Sequence, residues 1–142
     1  MSLDNRIQVY EVGLRDGLQN EAAFVPTDDK LKLAGMLADA GLRRIELTSF
    51  VSPRWIPQLA DHAELTRRVE KRPGVSFSAL VPNLQGLESA KASGLEEVAV
   101  FMSVTESHSK KNINKTVAQA LEVLAEVSHA AIASGLRVRG YL

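Results

Sequence analysis

Short apolar runs and longer amphipathic stretches alternate along the chain. Residues 7–13, 44–48, 75–80, 97–102 and 136–141 are compact runs rich in β-branched and aliphatic side chains, the pattern of strands. Between them, apolar residues recur at helical spacing. Thr27 is placed as a helix N-cap, with Asp28 and Asp29 in the first turn where their charge favours the helix dipole, and Leu33, Met36, Leu37 and Ala40 then share one face. A second helix is expected from near Asp61, with Glu64 in capping-box spacing, and a short third after Asn83. A fourth has Thr116 and Gln119 as its capping box and a stripe of Val117, Leu121, Leu124 and Ser128.

The junctions into the strands repeat. "AGLRRIEL", "SGLEEVAV" and "SGLRVRGYL" each put a small residue, a glycine and a leucine just before a strand, at Gly41, Gly94 and Gly135, and "RPGVSFSAL", through Gly74, is a looser copy. A glycine there suits the left-handed turn that ends a helix, and the leucine can pack back before the chain extends. Strands entered from helices in this way run parallel. The expected fold class is α/β, made of parallel (β/α) repeats with about five strands and four helices. Both an open doubly wound sheet and a partial TIM barrel, which when complete needs about 250 residues, satisfy that pattern. The strand faces favour the barrel. In "RRIELTSF", Ile45 and Leu47 point one way while Glu46 and Thr48 point the other, and a paired carboxylate is easier to accommodate near a barrel mouth than beneath helices.

Composition removes several partners. The 142 residues carry 17 basic and 17 acidic side chains, so the chain offers no electrostatic footprint for nucleic acid or an anionic membrane, and neither is expected as a partner. There is no cysteine, which excludes thiolate metal sites and thiol nucleophiles within this chain. No apolar run reaches the roughly 18 residues of a membrane span and the N-terminus lacks a signal-peptide core, from which a cytoplasmic setting is expected.

In either parallel architecture the reactive surface is the carboxyl end of the strands. Arg15, Asp16 and Gln19 follow the first run; Glu46, Thr48 and Ser49 end the second; Asn83 follows the third; Ser103, Glu106 and His108 follow the fourth; Arg139 and Tyr141 end the fifth. No glycine-rich phosphate loop follows any strand, and of the three histidines only His108 falls at this rim. A hard divalent cation needs oxygen ligands and takes few of them from protein, and Asp16 is placed for that role. Arg15, planar and always protonated, could stabilise a developing enolate. A structural cluster of Arg15 with Asp16 or Glu46 fits the same spacing equally well.

The stretches "EVGLRDGLQNE", "IELTSFVSPRWIPQLADH", "LVPNLQGLESA", "KKNIN" and "RGY" resemble the 3-hydroxy-3-methylglutaryl-CoA lyase family, metal-dependent lyases built on a (β/α)₈ barrel, along essentially the whole chain. Related Claisen-condensing synthases carry an acidic residue where this chain has Leu18. The resemblance implies that residues 1–142 are the N-terminal segment of a lyase barrel whose C-terminal strands are absent. It implies retro-Claisen cleavage of 3-hydroxy-3-methylglutaryl-CoA to acetyl-CoA and acetoacetate, with Asp16 a ligand of Mg²⁺ or Mn²⁺, Arg15 stabilising the enolate and Glu46 buried on its strand. Ser49 and Tyr141 match positions near the acyl group, and Gln19 a supporting contact. Lys110, Lys111 and Asn112 either approach the CoA portion or form a solvated basic turn. His108 matches no family role.

Two departures qualify the match. Leu14 stands where the family has proline before the Arg-Asp pair, and the family's His-x-His ligands, an asparagine and a catalytic cysteine lie on later strands that this chain lacks. The chain alone is thus expected to bind metal weakly and turn over little, and either to need a C-terminal half or to form a homo-oligomer. The alternatives are a non-catalytic β/α unit that self-associates through its open barrel edge and a related acyl-CoA synthase or aldolase.

Overall fold

The structure, a computed structural model, describes residues 7–142. Four strands, β1 (Arg44–Ser49), β2 (Ser76–Leu80), β3 (Glu97–Phe101) and β4 (Arg137–Tyr141), form one parallel sheet in chain order. A doubly wound sheet reverses its strand order part-way. The order here never reverses, as in a barrel wall. Helices α1 (Thr27–Asp39), α2 (His62–Arg68), α3 (Leu84–Ala92), α4 (Glu106–Ile113) and α5 (Val117–Ala133) complete the repeats.

The strand expected at residues 7–13 shrinks to a single parallel bridge between Glu11 and Ile45. Glu11 N–H donates to the Arg44 carbonyl at 2.9 Å and its carbonyl accepts from Glu46 N–H at 2.8 Å. The amides of Arg15 and Asp16 then both turn back on the Val12 carbonyl, and the chain leaves the sheet in a π-helical turn, Gly13–Gly17. Leu14 anchors that turn in the core, fully buried.

Glycines 41, 74, 94 and 135 all take the left-handed conformation, with φ between 75° and 97°, as the junction repeat predicts. The capping box expected at Thr116 and Gln119 holds, and Asn83 itself caps α3, its side chain accepting from Gly86 N–H at 2.9 Å. Two others do not. Pro26, not Thr27, precedes α1, while Asp61 precedes α2 without capping it. The two side chains are bonded to each other instead, Thr27 Oγ1 donating to Asp61 Oδ2 at 2.8 Å. The buried stripes are also rotated from those expected. Lys30, Ala34 and Ala38 face inward on α1 while Met36 is exposed; Ala120, Val127 and Ala131 face inward on α5 while Leu121 is exposed. The "KKNIN" stretch belongs to α4 in place of a turn, capped by Thr105 and closed by Asn114 at φ 54°.

Ile45, Leu47, Phe77, Ala79, Val98 and Val100 belong to the apolar core with Leu65, Leu87 and Val127 of the helices. The other face of the sheet is polar. At its amino end, Glu97 accepts from Arg44 and Arg137, each at 3.2 Å, and Arg137 also donates to Ser76 Oγ at 2.7 Å.

Candidate active site

Glu46, in the middle of β1, is completely buried, yet its carboxylate collects donors from both edges of the sheet. From the π-helical turn, Arg15 Nε donates to Glu46 Oε1 at 2.6 Å, and its Nη1 donates to Asp16 Oδ1 at 2.8 Å. From β4, Tyr141 OH donates to Glu46 Oε2 at 2.8 Å, and Arg139 Nη1 lies 3.9 Å from the same oxygen while also donating to the Tyr141 hydroxyl. The Arg139 guanidinium stacks on the rings of Tyr10, 3.7 Å from its centroid, and Tyr141, at 4.1 Å. In a flat sheet β1 and β4 would stand about 14 Å apart across three strand spacings. Their side chains bond directly, so the sheet curls with this polar face inside.

The cluster fixes protonation states. Burial alone would lower the Arg15 pKa, but the hydrogen bond and charge of Glu46, with the charge of Asp16, raise it above its ordinary value. Burial also raises the Tyr141 pKa, reinforced by the charge and hydrogen bond of Glu46 and opposed by Arg139 and Arg15. Arg15 is held as a cation and Tyr141 as a neutral donor.

Above the cluster, at the carboxyl ends of the strands, opens a cavity of about 1050 Å³. Arg15, Asp16, Gln19, Ser49 and Tyr141 line it, with Lys111 and Asn112 from α4 on its wall. Glu46 lies beneath the lining, and Lys110 is exposed on α4 away from the cavity. Sequence reasoning brought Arg15, Asp16, Glu46 and Tyr141 to one rim and one cluster, where the structure has them. It placed Arg139 at the rim without pairing it to the cluster, and it missed Tyr10 and also Trp55, which with His108 lines the cavity. The signal for Arg139 was its alternation with Tyr141 along one strand face. A second cavity, about 420 Å³, lies among Gly35, Met36, Arg68 and Arg72 on the helical exterior, remote from the strand ends.

The Asp16 side chain is 55% exposed at the cavity and presents a hard oxygen donor suited to Mg²⁺ or Mn²⁺. Among the described residues no three His, Cys, Asp or Glu side chains come together as a metal centre. Asp16 fits such an ion as one ligand of several.

The HMGL-like family profile matches residues 6–141. The chain belongs to the HMGL-like family. It is 52% identical over 137 residues to the mitochondrial hydroxymethylglutaryl-CoA lyase of Gallus gallus, covering 96% of this chain and 46% of that one. It is 49% identical over 140 residues to the cytoplasmic 3-hydroxy-3-methylglutaryl-CoA lyase of Mus musculus, covering 99% and 41%. Among solved structures, the HMG-CoA lyase of Bacillus subtilis superposes with a TM-score of 0.94 at 43% identity, over 100% of this chain and 48% of that one. An HMG-CoA lyase from Acinetobacter baumannii, in complex with coenzyme A and 3-methylmalate, superposes with a TM-score of 0.87 at 34% identity, over 94% and 43%. The chain thus spans about half the length of these HMGL-like relatives, and its four-stranded sheet is a partial TIM barrel. No helix among the described residues is long and apolar enough to cross a membrane.

Proposed function

We propose that this chain supplies the N-terminal part of a hydroxymethylglutaryl-CoA lyase barrel, and that the complete site cleaves 3-hydroxy-3-methylglutaryl-CoA to acetyl-CoA and acetoacetate. The observation that carries the reading is the Arg15 guanidinium, gripped from below by buried Glu46 and lining the cavity beside Asp16. In the reaction the C3 hydroxyl loses its proton, the C2–C3 bond breaks, and its electron pair passes into the thioester as an enolate that is then protonated at C2. Arg15 meets the charge on the thioester oxygen, an interaction whose removal costs on the order of 3 kcal/mol. Because Glu46 holds the guanidinium before substrate arrives, little reorganisation is needed as charge develops. Tyr141, its hydroxyl held by Glu46 and Arg139, offers its ring to the acyl group, with Ser49 and Gln19 beside it. A Mg²⁺ or Mn²⁺ ion held by Asp16 and by ligands from the C-terminal part of the barrel would make the C3 hydroxyl more acidic when bound. Lys111 and Asn112 are assigned to the CoA portion. A cytoplasmic setting belongs to the same reading, since the relatives include one named as cytoplasmic beside several named as mitochondrial.

The test mixes the chain with the C-terminal remainder of the Bacillus subtilis lyase, Mn²⁺ and the thioester, and measures acetoacetate. Product is expected only from the mixture, and Arg15→Ala should lower its rate at least roughly a hundredfold. An Arg15→Ala mixture as active as the unmodified one would remove the assigned role.

A further inference from the structure

Two donors compete for one oxygen of buried Glu46, and the uncharged one holds it. Tyr141 OH donates to Glu46 Oε2 at 2.8 Å, while Arg139 Nη1 stands off at 3.9 Å and donates to the Tyr141 hydroxyl instead. A guanidinium closing on a carboxylate gains a hydrogen bond and the attraction of opposite charges, whereas a phenol gains only the first. Left to itself, Arg139 would take the oxygen. Its guanidinium carbon is stacked on the half-buried ring of Tyr10, 3.7 Å from the centroid and closer than the 4.1 Å to Tyr141.

Tyr10 reaches this place by register. Glu11 bridges Ile45, which belongs to the helix-facing core, and the Glu46 amide donates to the Glu11 carbonyl at 2.8 Å. Side chains alternate along an extended chain, so Tyr10 falls on the inner face with Glu46 and Arg139. An aromatic face takes a guanidinium flat and leaves its in-plane donors free, which lets Arg139 stack on Tyr10 and still donate to Tyr141.

We propose that Tyr10 is a positioning residue: by stacking Arg139 it keeps that cation off Glu46, so that the carboxylate divides its oxygens between Arg15 and Tyr141 and the Tyr141 ring stays fixed at the cavity. What the fixed ring does for an acyl group rests on the lyase reading of the site; the positioning itself does not.

The chain has two tyrosines, so replacing Tyr10 leaves Tyr141 as the lone phenol, whose ionisation is followed by absorbance. That phenol faces Glu46 of β1, Arg15 of the π-helical turn and Arg139 of its own strand, and burial together with Glu46 raises its pKa from the ordinary 10.0 against the two arginines. Tyr10→Phe keeps the stack and should keep the raised value. Tyr10→Leu frees Arg139 to take Glu46 Oε2, and the Tyr141 midpoint should fall toward 10.0. With Arg139→Met added to each, the difference between Tyr10→Phe and Tyr10→Leu should vanish, because Tyr10 acts through Arg139. Equal midpoints in the two single variants, a higher midpoint in Tyr10→Leu, or a difference that survives Arg139→Met would each overturn the proposal. Tyr10→Met, which fills similar space without an aromatic face, takes the place of Tyr10→Leu if that variant does not fold. In the mixture with the C-terminal remainder of the Bacillus subtilis lyase, Tyr10→Leu should lower acetoacetate formation roughly tenfold or more and Tyr10→Phe should hold it. An undiminished rate in Tyr10→Leu would overturn the part of Tyr10 in the reaction. A mixture of the unmodified chain that makes no acetoacetate removes the lyase reading and leaves the titration to decide the positioning.

Discussion

Two carboxylates share Arg15, and their surroundings make them unequal. Glu46 is fully buried and its pair with Arg15 is screened little by solvent, whereas Asp16 is more than half exposed. Glu46→Gln strands one cation with a neutral partner in the interior and should cost about 3 kcal/mol in urea denaturation, while Asp16→Asn should change stability by less than about 1 kcal/mol. Equal effects would show that the pair is not buried in solution. Tyr141 adds a pH signature. Its pKa is raised above the ordinary 10.0 by burial and by Glu46, so the folded phenol keeps its proton where the unfolded one has lost it. That contribution is fully present below about pH 10 and is lost as pH rises through the folded value. The stability difference between the native chain and Tyr141→Phe should therefore hold steady up to about pH 10 and shrink as the pH rises further through the folded value. Arg15, Asp16 and Glu46 were legible in the sequence because each is a charge at or near a strand end, where a parallel fold gathers chemistry. The Arg139 stack was not, because its partner Tyr10 is far away in sequence and reaches it only once the sheet has curled.

At the scale of elements, the two loops that bear the site are fastened to each other by Lys30. Its ammonium bonds the Gln58 carbonyl and Asp61 in front of α2 and lies 4.4 Å from the ring of Phe24 in the segment that follows Arg15 and Asp16. Lys30→Met leaves Asp61 buried with Thr27 alone and should cost about 3 kcal/mol; adding Asp61→Asn should recover part of it, since the stranded charge is then gone. A double variant no more stable than Lys30→Met would show that lost packing dominates. His62 packs next to this pair, its ring 4.7 Å from that of Phe50, and burial, with the nearby Lys30 charge, lowers its pKa despite Asp61. The strands were readable from the glycine-leucine junctions, and α5 from a capping box that binds only its own helix. Thr27 and Asp61 carry good N-cap side chains, but a buried lysine claims the carboxylate and the tertiary bond outweighs the local one. The helix α4 escaped detection because "ESHSKKNI" has no apolar stripe; among its residues only Ser109 is buried, donating to the Lys115 carbonyl at 2.8 Å.

For the molecule as a whole, the curl of the sheet has a stability consequence. Among the described residues β2 and β3 are paired on both sides and lie within the core, whereas β4 is paired only with β3 and is exposed or half-buried along its length. The inner polar face is held in that curl by few links, among them the Tyr141–Glu46 hydrogen bond between the outer strands. Opening β4 costs the hydrogen bonds of one ladder and the packing of α5 against it, while opening β2 requires parting two ladders and the helical layer together. Amide exchange should accordingly be slowest at Ser78, Ala79 and Val98 and fastest, among strand amides, at Arg137 to Tyr141. Tyr141→Phe should speed the β4 amides without changing those of β2, because it releases the outer strands from each other and leaves the inner ladders intact. Uniform acceleration of all four strands would mean that the sheet opens as one unit and that the cluster around Glu46 holds the whole fold. When the C-terminal remainder of the Bacillus subtilis lyase is added, protection should rise first at β4, the edge at which further strand pairing in a closed barrel would begin; protection gained elsewhere first would place the docking surface away from that edge.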